Sequence, residues 1–211
     1  PAGFARLNRD GTVRLFEAAK AAGVNRVVFL SSRAVHGGWP PGTALHEGLE
    51  ARPDTLYGEV KVAAERALAA LSAPSFAGVS LRATGVYGPP VPGLPHKWQP
   101  LLDAFARAEA IAPRAGTEVH AGDLAASIRL LLEADTGARV RGVVHCSDIL
   151  LDRRELLAEW SALTRATGPL PERCDTGQVS VMRADRLHAL GWWPRGRQGV
   201  TEVLRALARA Q

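Results

Sequence analysis

The run RVVFLS at residues 26–31 is short, has no polar interruption between Arg26 and Ser31, and is rich in β-branched and aromatic side chains. It shows no alternation of apolar and polar residues, so neither face of such a strand is meant for water. Strands of this kind belong to parallel sheets covered by helices on both sides. The flanking sequence agrees: Val13, Phe16, Ala19 and Ala22 recur at helical spacing, and Gly23 follows where a helix would stop. After a loop holding Gly37, Gly38, Pro40, Pro41 and Gly42, the spacing predicts a helix over about residues 57–71 and a strand over 79–83. Strand, crossover helix and strand make the βαβ unit of an open α/β sheet.

Beyond Gly88 the composition shifts, with Pro89, Pro90, Pro92 and Pro95 crowding one loop. Helices are predicted near residues 98–110 and 123–133, a strand over 140–146, a helix over 152–164, a short strand over 178–182 and a closing helix over 201–210. The expected class is α/β: a partial, Rossmann-like doubly wound parallel sheet with a small C-terminal α+β lobe. Residues 1–88 supply the sheet portion, and residues 89–211 are a mixed segment that mainly forms the lobe and returns late strands to the sheet.

Composition narrows the function classes. A chain of 211 residues with 46% apolar content can bury a sizeable core. It contains no apolar run of about 18 residues, and its start, PAGFARLNRDG, lacks the basic and apolar blocks of a secretory signal. No membrane partner is expected. The cysteines Cys146 and Cys174 form no C-x-x-C pair and have no histidine at ligand spacing, so no metal site is expected and a reducing cytoplasm fits. The net charge of +5 does not gather into a basic stripe: Lys20, Lys61 and Lys97 are the only lysines, and the arginines are scattered among helix surfaces without aromatic interleaving. That pattern argues against a nucleic-acid partner.

Ligands of open α/β sheets sit beyond the C-terminal ends of the strands, which directs attention to Ser31, Ser32 and Thr84. Tyr57 and Lys61 lie four apart at the start of a predicted helix, hence on one face and one turn from each other. A phenol titrates near ~10, too high for a base at neutral pH, but a neighbouring ammonium and the positive end of a helix both favour its ionised form. Lys61 would supply the ammonium, and a serine hydroxyl at the strand end would orient a substrate hydroxyl or carbonyl.

The stretch Asn8-x-x-Gly11-Thr12, the block FLSSRAVHG at 29–37, Glu47, YGEVK at 57–61 with Glu65, LRATGVYGP at 81–89, EVHAGDLA at 118–125 and ALGWWP at 189–194 stand in an order that resembles the extended short-chain dehydrogenases. These form the NAD(P)-dependent epimerase/dehydratase family. The resemblance implies a catalytic set of Ser32, Tyr57 and Lys61, with Ser31 structural. Tyr57 would act as general acid or base while hydride moves to or from the nicotinamide, and Lys61 would also hold the nicotinamide ribose. Thr84 would contact the cofactor, or else satisfy a turn. His36 replaces the tyrosine of the usual Val-Tyr-Gly and is a substrate-contact candidate, as is Gly85, where many sugar-nucleotide epimerases of the family carry asparagine. Gly116 stands where they carry an arginine that grips the diphosphate, with Arg114 two residues away. Trp192 and Trp193 read as packing residues, and Glu47 as a loop acid.

No G-x-G-x-x-G or G-x-x-G-x-x-G turn occurs, although such a turn lets the backbone approach a pyrophosphate. The expectation is therefore a fragment that binds its dinucleotide poorly alone and leaves apolar sheet edge uncovered. The resemblance implies an enzyme using NAD or NADP on a small hydroxylated or keto substrate, sugars and sugar nucleotides among them. A non-catalytic cofactor sensor or an inactive remnant of the same fold is the alternative. Relatives are often homodimers through two helices flanking the active site; the sequence leaves this open, as it does the choice between NAD and NADP.

Overall fold

The computed structural model describes residues 2–133 and 140–210. Three strands, β1 (Arg26–Ser32), β2 (Ala77–Ala83) and β5 (Gly142–Cys146), form one parallel sheet in the order β1-β2-β5. Register places Leu30, Leu81 and Val144 in one row and Ser31, Arg82 and His145 in the next. Successive side chains point to opposite faces of a strand, so these rows belong to different sides of the sheet.

The first side is apolar. Val79, Leu81, Ala83, Val144 and Cys146 pack there with Leu124 and Leu131 of α5 (Ala121–Glu133). On the second side Val27 and Phe29 meet Ala64 and Leu68 of α3 (Leu56–Leu71) and Phe16 of α2 (Gly11–Ala21). Helices on both faces make the sheet doubly wound, as the continuous apolar runs require. All of β2 is buried. By contrast β1 is mostly half-buried, with Leu30 43% exposed, because among the described residues it pairs with β2 alone. The expectation of a strand buried on both faces fits β2 better than β1. The N-terminal helical segment starts earlier than its spacing suggests: α1 (Ala2–Ala5) and a π-helical turn (Arg6–Asp10) precede α2.

A second, mixed sheet goes beyond what the sequence pattern predicts. Its strands β3 (Gly85–Tyr87), β4 (Ala115–His120) and β6 (Ile149–Asp152) run in the order β3-β4-β6, parallel then antiparallel. Each is too short, or too mixed with glycine and polar residues, to give a periodic signal. Helices α4 (Gln99–Ala106), α6 (Arg153–Thr164) and α8 (Arg197–Arg209) close a core around Trp98, Phe105, Leu157, Trp160 and Leu204. The strand predicted over 178–182 is instead a 3-10 turn (Thr176–Gln178) and a single parallel bridge from Met182 to Leu45. The helix α7 (Asp185–Ala189) leads to the closing motif, where Trp192 Nε1 donates to the Asp123 carbonyl at 2.9 Å and Arg195 pairs with the Asp123 carboxylate at 3.0 Å. Trp192 is buried as expected, whereas Trp193 is 75% exposed and stacks on His188.

Candidate active site

Helix α3 begins at the C-terminal end of β1 because Thr55 caps it. The Thr55 hydroxyl accepts from Gly58 N at 3.1 Å, satisfying one of the amides that a helix start leaves free. Gly58 lets that first turn press onto the turn after Ser32: a Cβ there would lie 2.5 Å from the Ala34 carbonyl oxygen and 2.9 Å from Pro53 Cβ. Ser32 itself caps a 3-10 turn (Arg33–His36), its Oγ accepting from Ala34 N at 3.2 Å. Tyr57 and Lys61 are thus carried to the strand end that also bears Ser32. Lys61 Nζ donates to the Leu30 carbonyl at 2.8 Å and lies 5.5 Å from the centre of the Tyr57 ring. Burial lowers the Lys61 ammonium from its ordinary value, with the Glu65 carboxylate offsetting part of the shift. The Tyr57 side chain remains open to solvent, the residue being 45% exposed.

Beneath this surface lies a buried polar row. Arg82 donates to both oxygens of Glu65, from Nε at 2.9 Å and from Nη2 at 2.6 Å, and Ser31 Oγ donates to the same carboxylate at 2.5 Å. The paired charges and the fully used lone pairs are what make a buried ion pair tolerable. Arg82 Nη1 also meets His36 Nε2 at 3.1 Å, and His36 in turn lies against His145, their Nε2 atoms 3.3 Å apart. Burial first, and the Arg82 cation second, push His36 down to about 4. Burial, the neighbouring His36 and Arg82 push His145 down to about 3. His36 is therefore a neutral, buried member of this row. It does not line the cleft beside the strand ends, where the sequence motif places a substrate contact.

That cleft, of about 450 Å³, falls in the size range of small-molecule sites. Gly85, Gly116 and Arg114 line it, joined by Arg33, Lys97, Trp98, Thr117, Glu118 and Arg153, for which the sequence gives no site signal. A Cβ at Gly85 would stand 2.7 Å from the Glu118 carboxylate, the far end of a flexible side chain. Glu118 pairs with Lys97. Arg153 Nη1 donates to the Ala112 carbonyl at 3.1 Å, and its backbone amide donates to the Arg114 carbonyl at 3.0 Å, which fastens the β4 and β6 ends together. Thr84, between the two sheets, is 6% exposed, and its Oγ1 has no partner among the described residues; the hydroxyl satisfies no turn. A phenol, an ammonium and hydroxyls gathered at one sheet end can bind a polyol and move a proton to or from it.

The family model described as NAD dependent epimerase/dehydratase family matches residues 1–145. A UDP-glucose 4-epimerase of Rhizobium leguminosarum bv. trifolii is 33% identical over 153 residues, which is 71% of this chain; the chain spans 44% of that relative's length. Among solved structures, MoeE5 in complex with UDP-glucose and NAD is 25% identical with a TM-score of 0.77, covering 96% of this chain and 71% of that one. Thermus thermophilus UDP-glucose 4-epimerase in complex with NAD is also 25% identical, with a TM-score of 0.73 and coverage of 97% and 70%. The chain belongs to the NAD-dependent epimerase/dehydratase family.

Proposed function

We propose that this chain carries the catalytic tyrosine and the substrate cleft of an NAD-dependent sugar-nucleotide epimerase-type enzyme. The observation that carries this reading is the docking of the first turn of α3 on the Ser32 turn. It brings Tyr57 and Lys61 to the end of β1, where the next residue, Arg33, lines the basic cleft; Ser32, Tyr57, Lys61 and Thr84 are not themselves among the residues that line it. The relatives are UDP-glucose 4-epimerases or hold UDP-glucose and NAD, which supports a nucleotide sugar as substrate and NAD as cofactor.

The residues present fit the nicotinamide end of the dinucleotide. Lys61 and Tyr57 would hold the ribose hydroxyls, and the unpartnered Thr84 hydroxyl would make a further contact. Bound NAD supplies hydride acceptance and return at the sugar carbon. Tyr57 would take the proton of the sugar hydroxyl as the carbon is oxidised to a ketone, and would give it back on reduction. Lys61 and the N-terminus of α3 would favour the ionised phenol that receives this proton. The Ser32 hydroxyl would orient the reacting oxygen. On this reading residues 89–211 are the substrate side, since all cleft residues except Arg33 and Gly85 come from them.

Replacing Tyr57 by Phe removes the proton-transferring atom and leaves the ring. Turnover of a UDP-sugar in the NAD-loaded protein should fall by about 10² to 10⁴, with binding of the UDP-sugar retained in calorimetry. Turnover equal to wild type would remove Tyr57 from the catalytic role, and absence of turnover in the NAD-loaded wild type would favour the non-catalytic sensor reading.

A further inference from the structure

One side of α3 lies on one row of β1. Lys61, Ala64, Glu65 and Leu68 recur at spacings of three and four and so share a side of the helix, while Val27, Phe29 and Ser31 alternate along the strand and share a side of the sheet. Glu65 meets Ser31 through their hydrogen bond, and Phe29 packs with Ala64 and Leu68. One turn before Glu65 stands Lys61, whose ammonium lies over the Phe29 ring, 4.7 Å from its centre. The Tyr57 ring is a second aromatic neighbour, at 5.5 Å.

That ammonium has few other partners. It carries three donors, one of which goes to the Leu30 carbonyl at 2.8 Å. Among the described residues no carboxylate forms an ion pair with Lys61, and Glu65, one turn along the helix, is held by Arg82 and Ser31. Burial lowers the ammonium from its ordinary value, because the charged form loses water there. A ring face opposes that cost: its negative π cloud attracts a cation within about 6 Å, and most strongly where the cation is partly desolvated.

We propose that Phe29 is a positioning residue whose ring face holds the Lys61 ammonium, charged, at the end of β1 beside Tyr57. Its consequence for catalysis rests on Lys61 and Tyr57 acting in the enzyme proposed above. A leucine at this position would keep the apolar surroundings and remove the attraction, which separates the ring's electrostatic part from its packing. Phe16 supplies the control: it meets Phe29 edge to face, with ring centres 5.4 Å apart, in the same core cluster, so Phe16→Leu loosens that cluster and leaves the ring under Lys61 in place.

Nuclear magnetic resonance of the intact protein with labelled lysine tests it, because only Lys20, Lys61 and Lys97 give signals and Lys61→Met identifies the one required. The Lys61 methylene protons beside the ammonium should resonate upfield of the ordinary lysine position in the wild type, as protons over a ring face do. In Phe29→Leu they should move back toward that position, and the Lys61 titration midpoint should fall by about 0.5 to 1 on the pH scale, a threefold to tenfold loss of proton affinity. Phe29→Tyr should keep both signatures, and Phe16→Leu should keep both while lowering the melting temperature. In the NAD-loaded protein kcat for UDP-glucose should fall about threefold to tenfold in Phe29→Leu, and should stay within about twofold of wild type in Phe29→Tyr and Phe16→Leu. Wild-type protons at the ordinary position would overturn the proposal without any variant. A midpoint unmoved by Phe29→Leu, or moved equally by Phe16→Leu, would overturn it in favour of plain core packing. A lowered midpoint with unchanged kcat would overturn the positioning role. If the NAD-loaded wild type turns nothing over, the enzyme reading falls and the catalytic consequence with it, while the Lys61 titration still decides whether Phe29 holds the ammonium.

Discussion

Thr84 follows β2 with a hydroxyl that the described residues leave unanswered. A buried hydroxyl without a partner costs stability, so an isosteric apolar residue should be harmless to the fold. Thr84→Val should leave the melting temperature unchanged or slightly higher and should weaken NAD binding about threefold to tenfold, the worth of one hydrogen bond. Unaltered NAD affinity would remove Thr84 from the cofactor site. The meeting of Tyr57 and Lys61 near the end of β1 is readable in the sequence because it depends on spacing along one helix and on one strand end, which a sequence displays directly. Arg33 is not, since nothing in the string SSRAVHG says that its side chain turns toward Val179 and Ser180, residues 146 or more positions away. His36 reads as a substrate contact because its buried partners, Arg82 and His145, lie on strands whose register only the fold sets.

At the level of elements, α3 is fastened at three points that fix where its first turn lies. Thr55 caps it, Gly58 lets it touch the Ser32 turn, and Glu65 ties it to Arg82 of β2 and Ser31 of β1. Gly58→Ala should force the helix start away from Ala34 and cost about 1–3 kcal/mol, the usual penalty of overpacking. Chemical denaturation should show a lower midpoint at unchanged slope, and turnover should drop further than the lost stability explains. A midpoint equal to wild type would mean that the contact has room to give. The glycine is one of those whose need is steric, since its backbone adopts no left-handed angle. Elements with long periodic patterns, α2, α3, α5, α6 and α8, are visible in the sequence to within a few residues. The mixed sheet is not, because strands of 3 to 6 residues carry too few side chains to establish a period.

Across the whole molecule, the placement of charge inside the fold makes its stability depend on pH. His36 and His145 are held neutral by burial and by Arg82, with folded values of about 4 and about 3 against an ordinary 6.5. Burial also lowers His96 and His120. Their values are depressed in the folded state, so below pH 6.5 the unfolded chain takes up protons that the folded chain refuses. Stability therefore falls as pH drops from 6.5 toward about 4, and each such histidine adds a slope of up to about 1.4 kcal/mol per pH unit. Most carboxylates titrate below pH 5, so the interval from pH 6.5 to 5 isolates the imidazoles. Melting temperatures measured by circular dichroism at pH 7, 6 and 5 should fall progressively. His145→Gln removes one of the titrating groups and should flatten the fall by up to about one proton's worth of slope. A wild-type melting temperature that stays level from pH 7 to 5 would show that the unfolded chain takes up no extra protons. The buried row of Ser31, Arg82, His36 and His145 would then have to accept an imidazolium beside a guanidinium, which its present partners leave no anion to balance beyond Glu65, already held by Arg82.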